Sequence, residues 1–310
     1  MKQLVILSLF WLAEMSVVAQ ETYVFAKRDT AELKLDVYRP KCPREDKACV
    51  MYVFGGGFYE GERDGKAAVE TCTMLADRGF VAIAIDYRLF LKERKALLAS
   101  GKVSALEYHC YFDTAIAWAV EDCSAAIAWV CDHAGMLGVD TSRIVLTGGS
   151  AGAITVASLD YCRCNSLPAT AELPVRFRPA AVLPFAGAIQ CRNTQLRYAT
   201  PPAPTCFFHG TGDRIVHYNR QISSLTTSLF GANRIAKVFK RNGWCYRIVR
   251  LDGNGHEVAA AHPQLMGEFC AFVDAVLSGV WMQSDETLST TAVKLTPWSH
   301  WTVFDLYLGK

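Results

Sequence analysis

The sequence has almost no charge imbalance: 32 Lys and Arg stand against 30 Asp and Glu, a net +2, with no dense basic run. Binding to nucleic acid or to an anionic membrane therefore has no electrostatic support. The cysteines are twelve, but their spacings do not form the doubled pairs of a zinc site, so no metal is expected. No internal repeat and no boundary marks a second domain. Disorder is excluded as well, because 51% of the 310 residues are hydrophobic and only 20% are charged. An α/β fold often fills such a length as one unit.

The first nineteen residues read as a secretory signal peptide. Lys2 gives a positive start, Leu4 to Ala13 is mostly apolar, and Val17-Val18-Ala19 supplies small residues before Gln20. A membrane anchor is the competing reading, but a span needs about 20 apolar residues and this run is shorter. A secreted or periplasmic location is expected, with cleavage after Ala19. Export makes disulfides possible, and Cys42 and Cys49, flanking a turn, are a candidate pair. Cys110, Cys123 and Cys131 fit small buried apolar groups as well.

Downstream, strands and helices alternate. Strands are expected at Thr22 to Ala26, Glu32 to Tyr38, Ala48 to Phe54, Phe80 to Tyr87, Arg143 to Thr147, Ala180 to Phe185, Thr205 to His209 and Tyr246 to Leu251. Helices are expected at Gly65 to Arg78, 107–134, Ala151 to Tyr161, 218–242 and Pro263 to Ser278. This pattern implies βαβ units: a mostly parallel sheet with helices on both faces over residues 20–280. Residues 281–310 form a tail packed on that domain. Its Trp298 and Trp301 suit packing, or stacking on a sugar.

The chemistry centres on Gly148-Gly149-Ser150-Ala151-Gly152. A bare Gly-x-Ser-x-Gly is a weak signal, and context strengthens it. A buried strand precedes it and a helix follows it, as a nucleophile elbow requires. A serine hydroxyl needs a base, and the base needs orienting. His256, in Gly253-Asn254-Gly255-His256-Glu257, follows a strand directly; His262 sits near a helix start and His300 in the tail. Asp213 follows the strand Thr205 to His209, where His209 suits loop support. Asp252 is the rival acid, placed more like a turn residue. Three bare glycines in Phe54-Gly55-Gly56-Gly57-Phe58 let backbone approach a substrate closely. Gly56, Gly57 and Ala151 are the candidate oxyanion donors.

Together with Asp86-Tyr87-Arg88-Leu89, Asp140-Thr141-Ser142-Arg143-Ile144 and Leu35-Asp36-Val37-Tyr38-Arg39-Pro40, these motifs resemble the carboxylesterase and hormone-sensitive-lipase-like branch of the α/β-hydrolase fold. The likeness spans residues 30–278. It implies a Ser-Asp-His triad, no metal or organic cofactor, and hydrolysis of carboxylic esters through an acyl-enzyme. In that branch a His usually precedes the three glycines and steadies the loop; here Phe54 can only pack, so other contacts must hold it.

Phe58 and Tyr59 suit either the substrate pocket or ordinary packing. Residues 89–104 read as a partial lid or an exposed helix. The expected substrate is a small-molecule or oligosaccharide ester with a short acyl chain, including acetyl or feruloyl groups of polysaccharides. A serine peptidase or amidase on the same triad, or a non-catalytic binding protein on this scaffold, are the alternatives.

Overall fold

The computed structural model describes residues 20–29, 31–191, 195–222, 228–289 and 295. Residues 1–19, read from the sequence as a signal peptide, and Trp298 and Trp301 lie outside them. The elements in chain order are β1 (Gln20–Arg28), β2 (Ala31–Tyr38), β3 (Cys49–Val53), α1 (Lys66–Ala76), β4 (Val81–Ile85), α2 (Lys95–Ala99), α3 (Ala105–Asp132), α4 (Ala134–Leu137), β5 (Ile144–Gly149), α5 (Ala151–Cys164), β6 (Ala181–Phe185), β7 (Ala188–Cys191), β8 (Thr205–Gly210), β9 (Arg220–Ile222), β10 (Ser228–Gly231), α6 (Ala232–Arg241), β11 (Tyr246–Asp252), α7 (Met266–Leu277) and β12 (Gln283–Ser289).

Nine strands form one sheet in the order β1-β2-β4-β3-β5-β6-β8-β11-β12. β1, β2 and β4 pair antiparallel at one edge, and every other ladder is parallel. The inner strands β3, β4, β5 and β6 are buried along their whole length. That is why they read as continuous apolar runs rather than alternating ones. A parallel crossover must return to the same end of the sheet, so the loops leaving β3, β5, β8 and β11 all emerge at the carboxyl end.

The motif Asp86-Tyr87-Arg88 ties this frame together. The wholly buried Asp122 on α3 accepts from the backbone N–H of Arg88 at 2.8 Å and pairs with Arg88 Nε at 2.8 Å and Arg28 Nε at 3.1 Å. Asp86 accepts from the Lys34 N–H and from Arg63, each at 3.1 Å. Buried carboxylates need such donors to offset lost hydration.

Three expectations are corrected here. Residues 218–222 and 228–231 are not helical: β7, β10 and β9 form a second, three-stranded antiparallel sheet, and the helix begins at Ala232. Its apolar Leu229 and Phe230 are buried by strand partners far away in sequence, which helical periodicity cannot anticipate. Residues 283–289 are not a mere tail but the parallel edge strand β12, beside β11. Cys42 and Cys49 do not bridge, and both are free thiols. Cys49 is wholly buried within β3 while Cys42 is exposed, and the turn between them is held instead by Arg44 and Asp46 at 2.7 Å.

Candidate active site

β5 ends at Gly149 and α5 begins at Ala151, so Ser150 occupies the single residue between strand and helix. Its backbone is bent to φ 52° and ψ −118°. A non-glycine residue there costs on the order of 1–3 kcal/mol and persists only where the surroundings enforce it. They do so here: the Ser150 N–H donates to Phe185 O at 3.0 Å, and the Ser150 carbonyl accepts from Ile154 N–H at 2.9 Å. Gly152 is dictated by close approach, since a Cβ on it would lie 2.0 Å from Val53 O.

His256 follows β11 and lies between the other two groups. Its Nε2 is 2.8 Å from Ser150 Oγ, and its Nδ1 is 2.8 Å from Asp213 Oδ2. Hydrogen-bonding to the carboxylate places the ring proton on Nδ1 and leaves Nε2 to accept from the serine. Asp213 is 5% exposed, and its other oxygen accepts from the N–H groups of Ile215 and Val216 at 2.9 and 3.0 Å. Burial by itself would raise its pKa. The facing His256 and His209 rings outweigh that and hold the carboxyl well below the usual carboxylate range.

His209 plays the expected supporting part. It is fully buried at the end of β8, its Nε2 donates to Val216 O at 2.8 Å, and it stands 3.4 Å from Asp213 Oδ2. Asp252 is exposed and accepts from Thr211 Oγ1, away from the triad. His262 is buried against Phe185 with ring centroids 3.7 Å apart, and burial pushes its pKa down to about 3. It stays neutral and packed, so His256 is the ring the fold presents to Ser150.

A cleft of about 450 Å³ opens above these groups, walled by Ser150, His256, Gly56 and Gly57. Gly56 has φ 117°, which only glycine adopts readily, and its carbonyl accepts from the N–H groups of Tyr59 and Glu60 at 3.1 Å. With that carbonyl turned into the loop, the glycine run lies against the cleft. Ala151 heads α5. Its N–H is among the first of a helix, which lack partners within the helix and favour negative charge.

The absence of a histidine before the glycines has a structural answer that no sequence signal revealed. Phe54 stacks on Tyr87, with centroids 4.5 Å apart, and the Tyr87 hydroxyl donates to the Phe54 carbonyl at 3.1 Å. Tyr59 lines the cleft as one reading allowed. Phe58 does not. At φ 63° its side chain turns inward and packs edge-on against Tyr87 and Phe112. Residues 89–104 are not among the residues that line this cleft. They brace the loop from behind: Leu91 N–H donates to Phe58 O at 3.0 Å, and Lys95 Nζ lies 4.3 Å from the Tyr59 ring centroid.

Residues 35–166 match the BD-FAE family in two overlapping segments, 35–97 and 91–166. The solved structure of a thermophilic esterase from Thermogutta terrifontis, Est2 with propionate bound, superposes with a TM-score of 0.58 at 25% identity. It covers 81% of this chain and 93% of that one. The chain has the α/β-hydrolase fold and is similar to esterases.

Among curated relatives, this chain is 33% identical to an arylesterase of Saccharolobus solfataricus over 150 residues, 48% of this chain and 42% of that protein. It is 34% identical to Lipase 2 of Moraxella sp. (strain TA144) over 113 residues, 36% of this chain and 21% of that one. The chain thus spans less than half the length of these curated relatives.

Proposed function

We propose that this protein hydrolyses carboxylic esters through an acyl-enzyme on Ser150. One observation carries the reading: an unbroken hydrogen-bonded line from Ser150 Oγ through both nitrogens of His256 to the buried Asp213 carboxylate. His256 takes the Ser150 proton as Oγ bonds to the ester carbonyl carbon. The N–H groups of Gly56, Gly57 and Ala151 receive the negative oxygen; in acyl-transfer sites one such donor is worth about 10²–10³ in rate. The imidazolium, stabilised by Asp213, then protonates the leaving alcohol oxygen as its bond to carbon breaks. Water, deprotonated by His256, repeats the addition and frees the acid.

The substrate class follows from the size and lining of the cleft. About 450 Å³ walled by glycine, alanine and aromatic side chains suits short acyl esters. The match to the BD-FAE family and the propionate-bound Est2 support this, and acetyl or feruloyl groups of polysaccharides are the finer reading. Export through residues 1–19 belongs to the same proposal, and cell fractionation tests it.

The functional test compares 4-nitrophenyl acetate, propionate and butyrate with the matching anilides and with acetylated and feruloylated xylan fragments. Ester turnover that greatly exceeds anilide turnover supports the reading. Faster cleavage of anilides would make the protein an amidase.

A further inference from the structure

The cleft has a polar group that the triad does not use. Tyr52 projects from the middle of β3 into the cleft wall, near Ala68 of the packed helix α1. The residue is 4% exposed, and its ring meets His262 edge-on with centroids 5.3 Å apart. Among the described residues its hydroxyl has no hydrogen-bond partner, and it is not one of the fully enclosed unpartnered polar atoms, so it is open to the cleft. The other polar groups of the wall are accounted for. Glu60, Glu62 and Lys66 are exposed to water at the rim, and the Tyr59 hydroxyl is engaged with Glu60. Burial pushes the Tyr52 phenol up, so it remains protonated and a donor at any working pH.

Without substrate only water can satisfy this hydroxyl, and a substrate that displaces the water must replace its hydrogen bond or lose it. Where such a group faces a substrate cleft, a substrate oxygen that satisfies it is favoured over a methylene that does not. We infer that the Tyr52 hydroxyl sets substrate choice by hydrogen-bonding an oxygen on the part of the ester that enters this cleft. The preferred esters then carry an ether, hydroxyl or carbonyl oxygen in that group, beyond the ester itself, rather than a plain hydrocarbon chain. The inference rests on the esterase reading above.

The test replaces one methylene by oxygen at successive positions. 4-Nitrophenyl methoxyacetate, 3-methoxypropionate and 4-methoxybutanoate are compared with butyrate, pentanoate and hexanoate, and 2-methoxyethyl acetate with butyl acetate. Each ratio of kcat/KM, oxygen over methylene, is measured in the wild type and in Tyr52→Phe, so the intrinsic reactivity of each ester cancels. One position is expected to show a wild-type ratio about three- to tenfold above that of Tyr52→Phe, the range one net hydrogen bond supplies. Equal ratios at every position overturn the inference while leaving the esterase reading intact; absence of all ester hydrolysis in the wild type would instead sink that reading. Thermal unfolding provides a second reading. Tyr52→Phe is expected to melt at or above the wild type, and a lower melting temperature would mean that the hydroxyl already has a partner inside the protein.

Discussion

The Tyr87 hydroxyl donates to the Phe54 carbonyl at 3.1 Å while the two rings stack at 4.5 Å, so one side chain fixes both the backbone and the side chain at the entrance to the glycine loop. Removing the hydroxyl separates these contributions. Tyr87→Phe keeps the stack but leaves a buried carbonyl without its donor, which costs about 1–3 kcal/mol. We expect a lower melting temperature together with a fall in kcat of about tenfold and little change in KM, because loop geometry matters most when the oxyanion forms. Steady-state kinetics on 4-nitrophenyl butyrate check this, and an unchanged kcat would show that the loop is held without that bond.

The elbow tolerates no added atom. A Cβ at Gly152 would meet Val53 O at 2.0 Å, backbone against backbone, with no flexible group to yield. Gly152→Ala is expected to lower stability by about 1–3 kcal/mol, the usual cost of overpacking, and to abolish activity by displacing Ser150. Calorimetry beside an activity assay decides it; a variant with wild-type melting and turnover would refute the packing argument.

Asp213 sets a pH signature. Its native carboxyl gives up its proton more readily than the unfolded one, whose pKa is about 3.9. The stability it contributes is therefore complete above that value and drains away as pH falls toward the lower native one. Asp213→Asn cannot titrate there. The wild-type advantage in denaturant midpoint over this variant is expected to be constant from pH 7 to about 5 and to shrink between about pH 4 and 2. A difference that stays flat through the acid range would contradict the assigned environment. The same variant is expected to lose about 10⁴ in kcat, as the corresponding change does in serine-protease triads, because the amide favours the wrong ring tautomer.

The inner strands, the elbow and the order Ser150, Asp213, His256 were legible because each rests on local chemistry. Continuous apolar runs mark strands buried on both faces, small residues mark a tight turn, and acid and base each follow a strand directly. What stayed hidden depends on partners distant in sequence. The pairing of Phe230 with Ile189 makes a strand where the local pattern suggested a helix. β12, with Gln283, Ser284, Asp285 and Glu286, has no apolar face to announce it; it is held instead by Arg247 and Arg250 of β11. The left-handed backbone at Phe58, which decides between cleft and core, has no signature in residue type. Tyr87 belongs to a local motif, yet its bond to Phe54 spans 33 positions.

Ser150→Ala is expected to remain folded, with a melting temperature close to that of the wild type, because the changed atom only donates to His256 at 2.8 Å. Its turnover is expected to fall by about 10⁶, as in triad knockouts elsewhere. Residual activity near the wild-type level would remove Ser150 from the mechanism.

The most direct measurement is covalent labelling of the intact protein with a fluorophosphonate, followed by peptide mass spectrometry. The geometry predicts a single adduct, on the peptide carrying Ser150, formed by loss of fluoride as Oγ bonds to phosphorus, and lost in Ser150→Ala. An unlabelled wild type, or an adduct on another serine with Ser150 intact, would contradict the account.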